Sequence, residues 1–444
     1  MKFSKSAVLV FSLFAASPVL AADLLDVYRS AQSQDAAFAS ARASQQAGQE
    51  RKSQGRSLLL PNVNLTANTT YNDNTTQLSG GAARDTRYNS SGVGVSLVQP
   101  LFRQQNWLAY SESEMQVAIS EAQYKLAEHD LILRVAQSYF DVLIAQDSVQ
   151  LTEAQKRAIS EQLEQAKRNF EVGTSTITDT YEAQARYDLT SAQEISARSN
   201  LEVKKRALQQ ITNAEPGELR QLGAEFKLEV PQPADVEKWV ADAQQHNVQI
   251  TIAESAAQLA EKEVSRNFGG HLPTLDLVAS YSKNAASDGT YNPLTARFGA
   301  VESTSRTVGI QLNMPLFQGG ATQSKYREAE ANRDKARQDL ENARRTVAVQ
   351  ARQAYLGVVN GVAQVKALQQ ALKSSESLLQ ASKLGQGVGV RTNLDVLNAQ
   401  QQLYSTRRDL YQAEYNYLIS RLRLKAEVGT LTEEDVGAIN QALR

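Results

Sequence analysis

Four segments of the chain alternate apolar and polar residues with a period of two. In the first of them, Val63, Leu65 and Ala67 alternate with asparagine and threonine. Successive side chains of a β-strand point to opposite faces of a sheet, so this period predicts strands with one apolar and one polar face. The expected strands cover about residues 61–73, 91–101, 272–284 and 304–316. Long polar loops, residues 72–91 and 283–305, are expected to join them in pairs.

Two other segments predict helices far longer than those of globular proteins. Residues 102–170 contain neither proline nor glycine, and residues 321–384 contain only Gly357 and Gly361. A mean globular helix has about 11–12 residues, whereas the first of these segments would extend on the order of 100 Å. The sequence therefore predicts helices over about residues 102–171 and 320–384.

The apolar residues of these helical segments follow a heptad repeat. Near the C-terminus they stand seven positions apart, at Val396, Leu403, Leu410, Tyr417 and Leu424. A seven-residue repeat is typical of helices that supercoil around partners. In the first long helix a second stripe, which includes Phe140 and Leu143, runs beside the first. Two adjacent stripes favour a helix with neighbours on both sides, as in the wall of a tube.

The chain is an internal duplication. The segment Leu60–Leu65 recurs as Leu272–Leu277, and Val172-Gly173 recurs as Val388-Gly389. Each Val-Gly pair is followed by an aspartate, Asp179 in the first half and Asp395 in the second. Corresponding residues of the two halves are 216 positions apart here. The sequence therefore predicts two structural repeats, residues 22–236 and 237–444, each with two strands, a long helix, a glycine turn and a further helix. The expected turns are residues 172–178 and 385–393.

The N-terminus predicts export. Lys2 and Lys5 precede a short apolar run, and small residues follow up to Ala21, which is the pattern of a secretory signal peptide over residues 1–21. Its removal leaves 45 basic and 48 acidic side chains, a net charge of about −3, which disfavours nucleic-acid binding. The chain has no cysteine, which excludes disulfides and thiolate metal sites.

Alternating runs of about ten residues in an exported chain match the length of a tilted membrane strand. Four such strands cannot close into a barrel alone. Unpaired backbone groups at a sheet edge cost several kcal/mol each in lipid. Two copies would give eight strands, and the interior of such a barrel is filled by side chains. Three copies would give twelve strands, the smallest closed set with room for a lumen. The sequence thus predicts a homotrimer whose twelve-stranded barrel, four strands per chain, continues into long helices.

No pattern indicates catalysis. His129, His246 and His271 are scattered without carboxylates at ligand spacing, and neither a Gly-x-Ser-x-Gly motif nor a P-loop occurs. We therefore expect no enzyme activity, no metal site and no cofactor.

The sequence resembles the TolC family of outer-membrane ducts over nearly the whole mature chain. The most specific matches are residues 270–277, residues 389–392 with 395–397, and residues 415–419. The resemblance implies a trimeric outer-membrane β-barrel continued by a periplasmic α-helical barrel, with an equatorial region at about residues 212–238 and 429–444. It also implies a periplasmic adaptor, an inner-membrane pump of the resistance-nodulation-division or ABC type, and a role in drug efflux or type I protein secretion, in contact with outer-membrane lipid.

Two alternatives remain open at this point. One is a heavy-metal or other specialised outer-membrane factor of the same architecture. The other, from a different class, is a surface coiled-coil adhesin without a pore.

The resemblance also assigns residues to a gate. It implies that the two helical turns form the periplasmic closure, with Thr178 and Asp179 on one turn and Gln386 and Arg391 on the other. Gln386 stands where the family commonly has tyrosine, and Asn398 stands where it has the second acid of a cation-selective constriction begun by Asp395. The turns themselves, Val172, Gly173, Val388 and Gly389, are expected to contact the adaptor. A purely local interpretation is a glycine C-cap followed by an acid near a helix N-terminus.

Overall fold

The computed structural model describes residues 22–77, 83–223, 226–292 and 297–443. The expected signal peptide, residues 1–21, lies outside the described residues. The described chain divides into two compact units. One unit consists of residues 40–126 and 244–348, and the other of residues 22–39, 127–243 and 349–443. Among the described residues, none of the helices combines the length and the apolar character that a membrane span requires.

The order of elements repeats in the two halves of the chain. Each half has two helices, two strands, a helix of 67 or 68 residues and a helix of 36 residues. The helices are α1 (Leu24–Gln34), α2 (Ala36–Ser57), α3 (Gln104–Glu171), α4 (Ile177–Thr212), α5 (Val236–His246), α6 (Val248–Phe268), α7 (Ala321–Gly387), α8 (Asn393–Val428) and α9 (Glu433–Asn440). The strands are β1 (Asn62–Thr76), β2 (Arg84–Phe102), β3 (Thr274–Asn292) and β4 (Arg297–Asn313).

The four strands form one antiparallel sheet in the order β1-β2-β3-β4. Its register places Leu65 opposite Val95, Val95 opposite Tyr281 and Tyr281 opposite Arg306. The neighbouring row, one position along each strand, is polar throughout and consists of Asn64, Ser96, Ser280 and Thr307. The expected separation into an apolar and a polar face is therefore present. Leu65 is 73% exposed and Val308 is 80% exposed, so no other element of the described chain covers the apolar face at these residues.

The strands extend further toward their hairpins than the alternation predicts. The alternation predicts that the first strand ends near residue 73 and the second begins near residue 91, whereas β1 continues to Thr76 and β2 begins at Arg84. Likewise β3 reaches Asn292 and β4 begins at Arg297, so most of both expected loops is paired strand. The extensions of the first hairpin, residues 74–76 and 84–90, are rich in Asn, Ser and Thr, and those of the second hairpin mix Ala and Gly with polar residues. Neither pair carries the regular apolar and polar alternation of the predicted strands. The backbone ladder, which is independent of side-chain polarity, holds them together.

Proline marks the ends of the strands. β2 continues to Phe102, but its register with β3 shifts between Pro100 and Phe102, because proline has no N–H to donate to the ladder. Pro315 follows the last residue of β4 and precedes α7. Both prolines therefore lie where strand gives way to helix.

The heptad positions form the core of the second unit. Residues Val396, Leu403, Leu410, Tyr417 and Leu424 of α8 are all buried. On α3 the buried set includes Leu131, Ile132, Val135, Ala136, Tyr139, Phe140 and Leu143, which covers both stripes. The Phe140 ring lies 5.6 Å from the Tyr415 ring, between centroids. The long helices are thus held by tertiary packing, because propensity alone leaves helices marginal in water.

The segments expected to be equatorial meet around two buried tyrosines. The Tyr139 hydroxyl donates to the Arg220 carbonyl at 2.9 Å. The Tyr417 hydroxyl donates to the Glu229 carbonyl at 2.9 Å and accepts from the Glu229 N–H at 2.9 Å. Isolated bridges then join Leu222 to Leu443, and Ala22 to Leu219, beside the short helix α9.

A pair of carboxyl groups lies inside the α3 and α8 packing. The Tyr415 hydroxyl donates to Asp147 Oδ2 at 2.9 Å. Burial raises the pKa of Asp147 to about 6, although the hydrogen bond from Tyr415 opposes the shift. Burial also raises the pKa of Glu414 to about 7, with a smaller contribution from the nearby charge of Asp147. The folded chain therefore binds these protons more tightly than the unfolded chain.

We predict that replacing Asp147 by asparagine stabilises the protein at pH 8 but not at pH 4. A raised folded-state pKa gives stability that is complete at low pH and is lost as pH rises through about 6. The neutral amide avoids that loss, and the expected gain at pH 8 is about 1–3 kcal/mol. Thermal unfolding followed by circular dichroism at both pH values measures it. Asp409→Asn, an exposed carboxylate on α8, is the control; an equal change in both variants would contradict the prediction.

Candidate functional site

The two helical turns have the same backbone geometry. Gly173 and Gly389 have φ of 76° and 80°, the left-handed conformation that favours glycine. At the first turn the Thr174 N–H donates to the Asn169 carbonyl at 2.8 Å, and at the second the Val390 N–H donates to the Gly385 carbonyl at 2.8 Å. These are Schellman motifs, which satisfy carbonyls left open at the end of a helix. The expected glycine C-caps are present in both repeats.

A capping box then starts the next helix at each turn. Asp179 Oδ2 accepts from the Thr176 N–H at 3.0 Å and from the Thr176 hydroxyl at 2.8 Å. Asp395 Oδ2 accepts from the Thr392 N–H at 2.8 Å and from the Thr392 hydroxyl at 2.9 Å. Both aspartates therefore have the local role that the sequence indicates, which is to satisfy donors at a helix N-terminus.

These hydrogen bonds keep both acids ionised. The Thr176 side chain is the main cause that lowers the pKa of Asp179, with further bonds from Ser175 and the Thr176 backbone. The Thr392 N–H is the main cause that lowers the pKa of Asp395, followed by the Thr392 hydroxyl. Each turn therefore presents a fixed negative charge at neutral and mildly acidic pH.

Arg391 lies over a glycine of its own turn. A Cβ added at Gly385 would lie 2.6 Å from Arg391 Cγ, so the side chain can take this path only because residue 385 is glycine. Its Nη1 lies 3.7 Å from Asp395 Oδ1, a long ion pair, and the side chain is 54% exposed. Within the described residues Arg391 forms no ion pair with Asp179. The guanidinium is thus available to a partner beyond its own chain.

The remaining expected gate residues are placed as follows. Thr178 is exposed on the first turn of α4. The Gln386 amide donates to Asn393 Oδ1 at 3.3 Å, within its own turn. Val172 is 72% exposed and Val388 is 77% exposed, so each turn carries an apolar side chain into solvent. Each turn therefore combines an exposed valine with a charged carboxylate.

Arg186 is a residue that the sequence reasoning missed. Its Nη2 donates to Asn398 Oδ1 at 3.0 Å, and its Nη1 donates to Gln401 Oε1, so that it joins α4 to α8. Ala183 and Leu397 pack beside it, in a buried cluster that also contains Ile159 and Leu163. At the offset of 216 residues, Arg186 corresponds to Gln402. A comparison of the two repeats for changes of charge would have found it.

Within residues 22–77, 83–223, 226–292 and 297–443, no group of three or more His, Asp or Glu side chains is placed to hold a metal ion. The turns instead bring together a guanidinium, fixed carboxylates and exposed valines.

Comparisons with a family model and with known proteins agree on one family. The family model described as outer membrane efflux protein matches residues 27–214 and 239–430. The chain is 36% identical to the outer membrane protein TolC of Vibrio cholerae over 430 residues, which cover 96% of this chain and 95% of that protein. It is 34% identical to the alkaline protease secretion protein AprF of Pseudomonas aeruginosa, over 96% of this chain and 88% of that protein.

A solved structure supports the fold. The outer membrane channel CmeC of Campylobacter jejuni superposes with a TM-score of 0.80 at 17% identity. The superposition covers 94% of this chain and 89% of that one.

We predict that Gly389→Ala loosens the second turn by roughly 1 kcal/mol, because alanine is strained at positive φ. No atom lies within 4 Å of the added Cβ, so the effect is one of backbone conformation alone. Gly387→Ala, which also has open space but an ordinary φ, is the matched control. Hydrogen exchange of peptides spanning residues 385–393 measures the difference; equal protection in the two variants would refute the assignment.

Proposed function

Because this chain belongs to the outer membrane efflux protein family, we propose that three copies form a passive duct through the outer membrane, which an adaptor joins to an inner-membrane pump. The supporting observation is a sheet with an exposed apolar face, in the same chain as two capped and charged helical turns. The sheet suits lipid and the turns suit a closable periplasmic end. The protein conducts and does not catalyse.

Closure of the sheet supports the number of copies. β1 and β4 each have one edge without a partner strand in the described chain. In lipid these edges must pair with other chains, and three chains supply twelve strands around a water-filled lumen. The polar row of Asn64, Ser96, Ser280 and Thr307 then faces that lumen.

The cargo is proposed from the relatives. AprF is a protease secretion protein by its name, and the family is named for efflux. We therefore assign this duct to type I protein secretion and drug efflux, with an ABC or resistance-nodulation-division pump at the inner membrane. Val172, Gly173, Val388 and Gly389 provide the surface for the adaptor.

The gate is proposed to close by contacts between chains. Arg391 presents an exposed guanidinium, and Asp179 presents a carboxylate whose Oδ1 accepts none of the capping bonds. A single exposed ion pair contributes about 0–1 kcal/mol, whereas hydrogen bonds to a charged donor contribute about 1.5–3 kcal/mol when shielded. Three symmetric copies, with Thr178 as a further acceptor, would favour closure by several kcal/mol.

Arg186 adds a constraint within each chain. Because it joins α4 to α8 through Asn398 and Gln401, the two turns of one chain are coupled to each other. Gln386 is occupied by Asn393, so it contributes little to contacts between chains. Opening therefore depends mainly on separating Arg391 from the neighbouring Asp179.

We predict that Arg391→Ser raises the single-channel conductance in planar bilayers and sensitises cells to vancomycin, since it removes the donor of the closing contact. Asp179→Asn should have the same effect, because the amide oxygen still accepts the Thr176 cap while the charge is lost. Combining the two changes should add little. Arg345→Ser, an exposed arginine of α7 outside the turn, is the control. Wild-type conductance and sensitivity in an intact Arg391→Ser trimer would refute the gate.

We predict a cation-selective pore in which Asp395→Asn lowers selectivity, because three like charges around one constriction focus the field. The pKa of Asp395 is lowered, so selectivity should persist as pH falls to about 5. Asn398→Asp alone should raise the cation selectivity only a little, because Arg186 Nη2 lies 3.0 Å from the Asn398 side-chain oxygen and would neutralise the new carboxylate. The selectivity should rise more when Asn398→Asp is combined with Arg186→Gln. Reversal potentials in a KCl gradient measure both effects. Unchanged potentials in Asp395→Asn would contradict the assignment.

A further inference from the structure

Two cations interrupt the apolar face of the sheet. Arg306 on β4 lies opposite Tyr281, and Lys283 follows Tyr281 by two positions on β3, so all three point to the face that carries Leu65 and Val308. Cross-strand neighbours on one face, whether directly opposite or diagonal, lie within reach of long side chains. The two cations therefore form one site on the outer surface of the sheet.

The charge of Arg306 is uncompensated. Its guanidinium lies 5.6 Å from the centroid of the Tyr281 ring, and it has no carboxylate partner among the described residues. Lys283 Nζ lies 3.4 Å from Glu302 Oε2, and both side chains are at least half exposed. An exposed pair of this kind is weak, so a stronger anion can replace Glu302.

The distance of this site from the strand ends that join the helices gives its level in the membrane. All four strands join the helices at one end, near Asn62, Phe102, Thr274 and Asn313. Lys283 is nine residues from that end of β3, about 30 Å along the strand and roughly 23 Å along the membrane normal at a tilt of about 40°. An apolar band of this kind is about 25 Å tall. Lys283 therefore lies at the membrane interface remote from the helices. Arg306, seven residues from Asn313, lies at roughly 18 Å on the same basis, and its long side chain can extend along the face to the level of Lys283.

We propose that Arg306 and Lys283 bind the phosphate of a lipid headgroup in the outer leaflet. A guanidinium binds phosphate by paired, charge-assisted hydrogen bonds, and lysine adds a point charge. Both side chains can lay their aliphatic stems on the apolar face while their charges reach the headgroup level. The tyrosine ring beside Arg306 suits the same boundary between hydrocarbon and headgroup. This inference requires the sheet to face lipid but does not depend on the gate.

The test uses the purified trimer and native mass spectrometry with diphosphoryl lipid A and its dephosphorylated form as probes. We expect the wild-type protein to retain the phosphorylated lipid preferentially. Arg306→Gln and Lys283→Gln should each weaken retention about fivefold, the effect of one cation at an anionic lipid surface, and the double variant more strongly. Arg345→Gln is the control, because Arg345 is an exposed arginine on α7, outside the sheet.

Three results would overturn the proposal. They are equal retention of both lipids by the wild type, retention by the double variant at the wild-type level, and displacement of the lipid by millimolar inorganic phosphate, which would indicate a free-phosphate site. Arg306→Lys keeps the charge and should retain most binding, so the test remains decisive if Arg306→Gln fails to insert. Channel conductance, measured in parallel, should be unchanged in Lys283→Gln, which separates this site from the proposed duct function.

Discussion

The hydrogen bonding of the sheet edges is the constraint on which the rest depends. β1 and β4 each expose an edge, and the face that carries Leu65 and Val308 is apolar and uncovered. Lipid offers no water to hydrogen-bond the backbone N–H and C=O groups of these edges, so they must pair with strands from further copies of the chain. Rotational symmetry then repeats every side chain around one axis. A single carboxylate such as Asp395 thereby becomes a ring of charge, and a single guanidinium becomes a set of equivalent donors.

In each turn, the aspartate that caps a helix is also a charge that the turn presents to its surroundings. Asp179 and Asp395 first satisfy helix N-termini through Thr176 and Thr392, and those bonds fix the position of each carboxylate. The open Gly385 then lets the stem of Arg391 lie against its own turn. A charged group held in this way needs little reorganisation to meet a partner. The duplication supplies the two turns with nearly the same geometry, but only the second turn carries an arginine, Arg391, beside its capping aspartate.

The local features were predictable from the sequence because their signals are periodic or local. Alternation gave the faces of the sheet, and the heptads gave the buried positions of α8 such as Leu403 and Leu410. The strand ends near Thr76 and Arg84 were not predictable, since polar residues on both faces leave only backbone pairing to hold them. Arg186 and Asp147 were missed for another reason. Their partners, Asn398 and Tyr415, are more than 200 residues away in the chain.

The neutral residue at position 398 is best understood together with Arg186. An acid there would form an ion pair with a guanidinium that already lies 3.0 Å away, so its charge would be largely lost to the lumen. The same ion pair would join α4 to α8 more tightly, because hydrogen bonds between two charged groups are stronger than those to a neutral amide. Asparagine keeps the connection weaker and, in the proposed constriction, adds no second charge to that of Asp395. Asn398 and Arg186 therefore form a neutral-acceptor link between α4 and α8, weaker than the ion pair that an acid at position 398 would form.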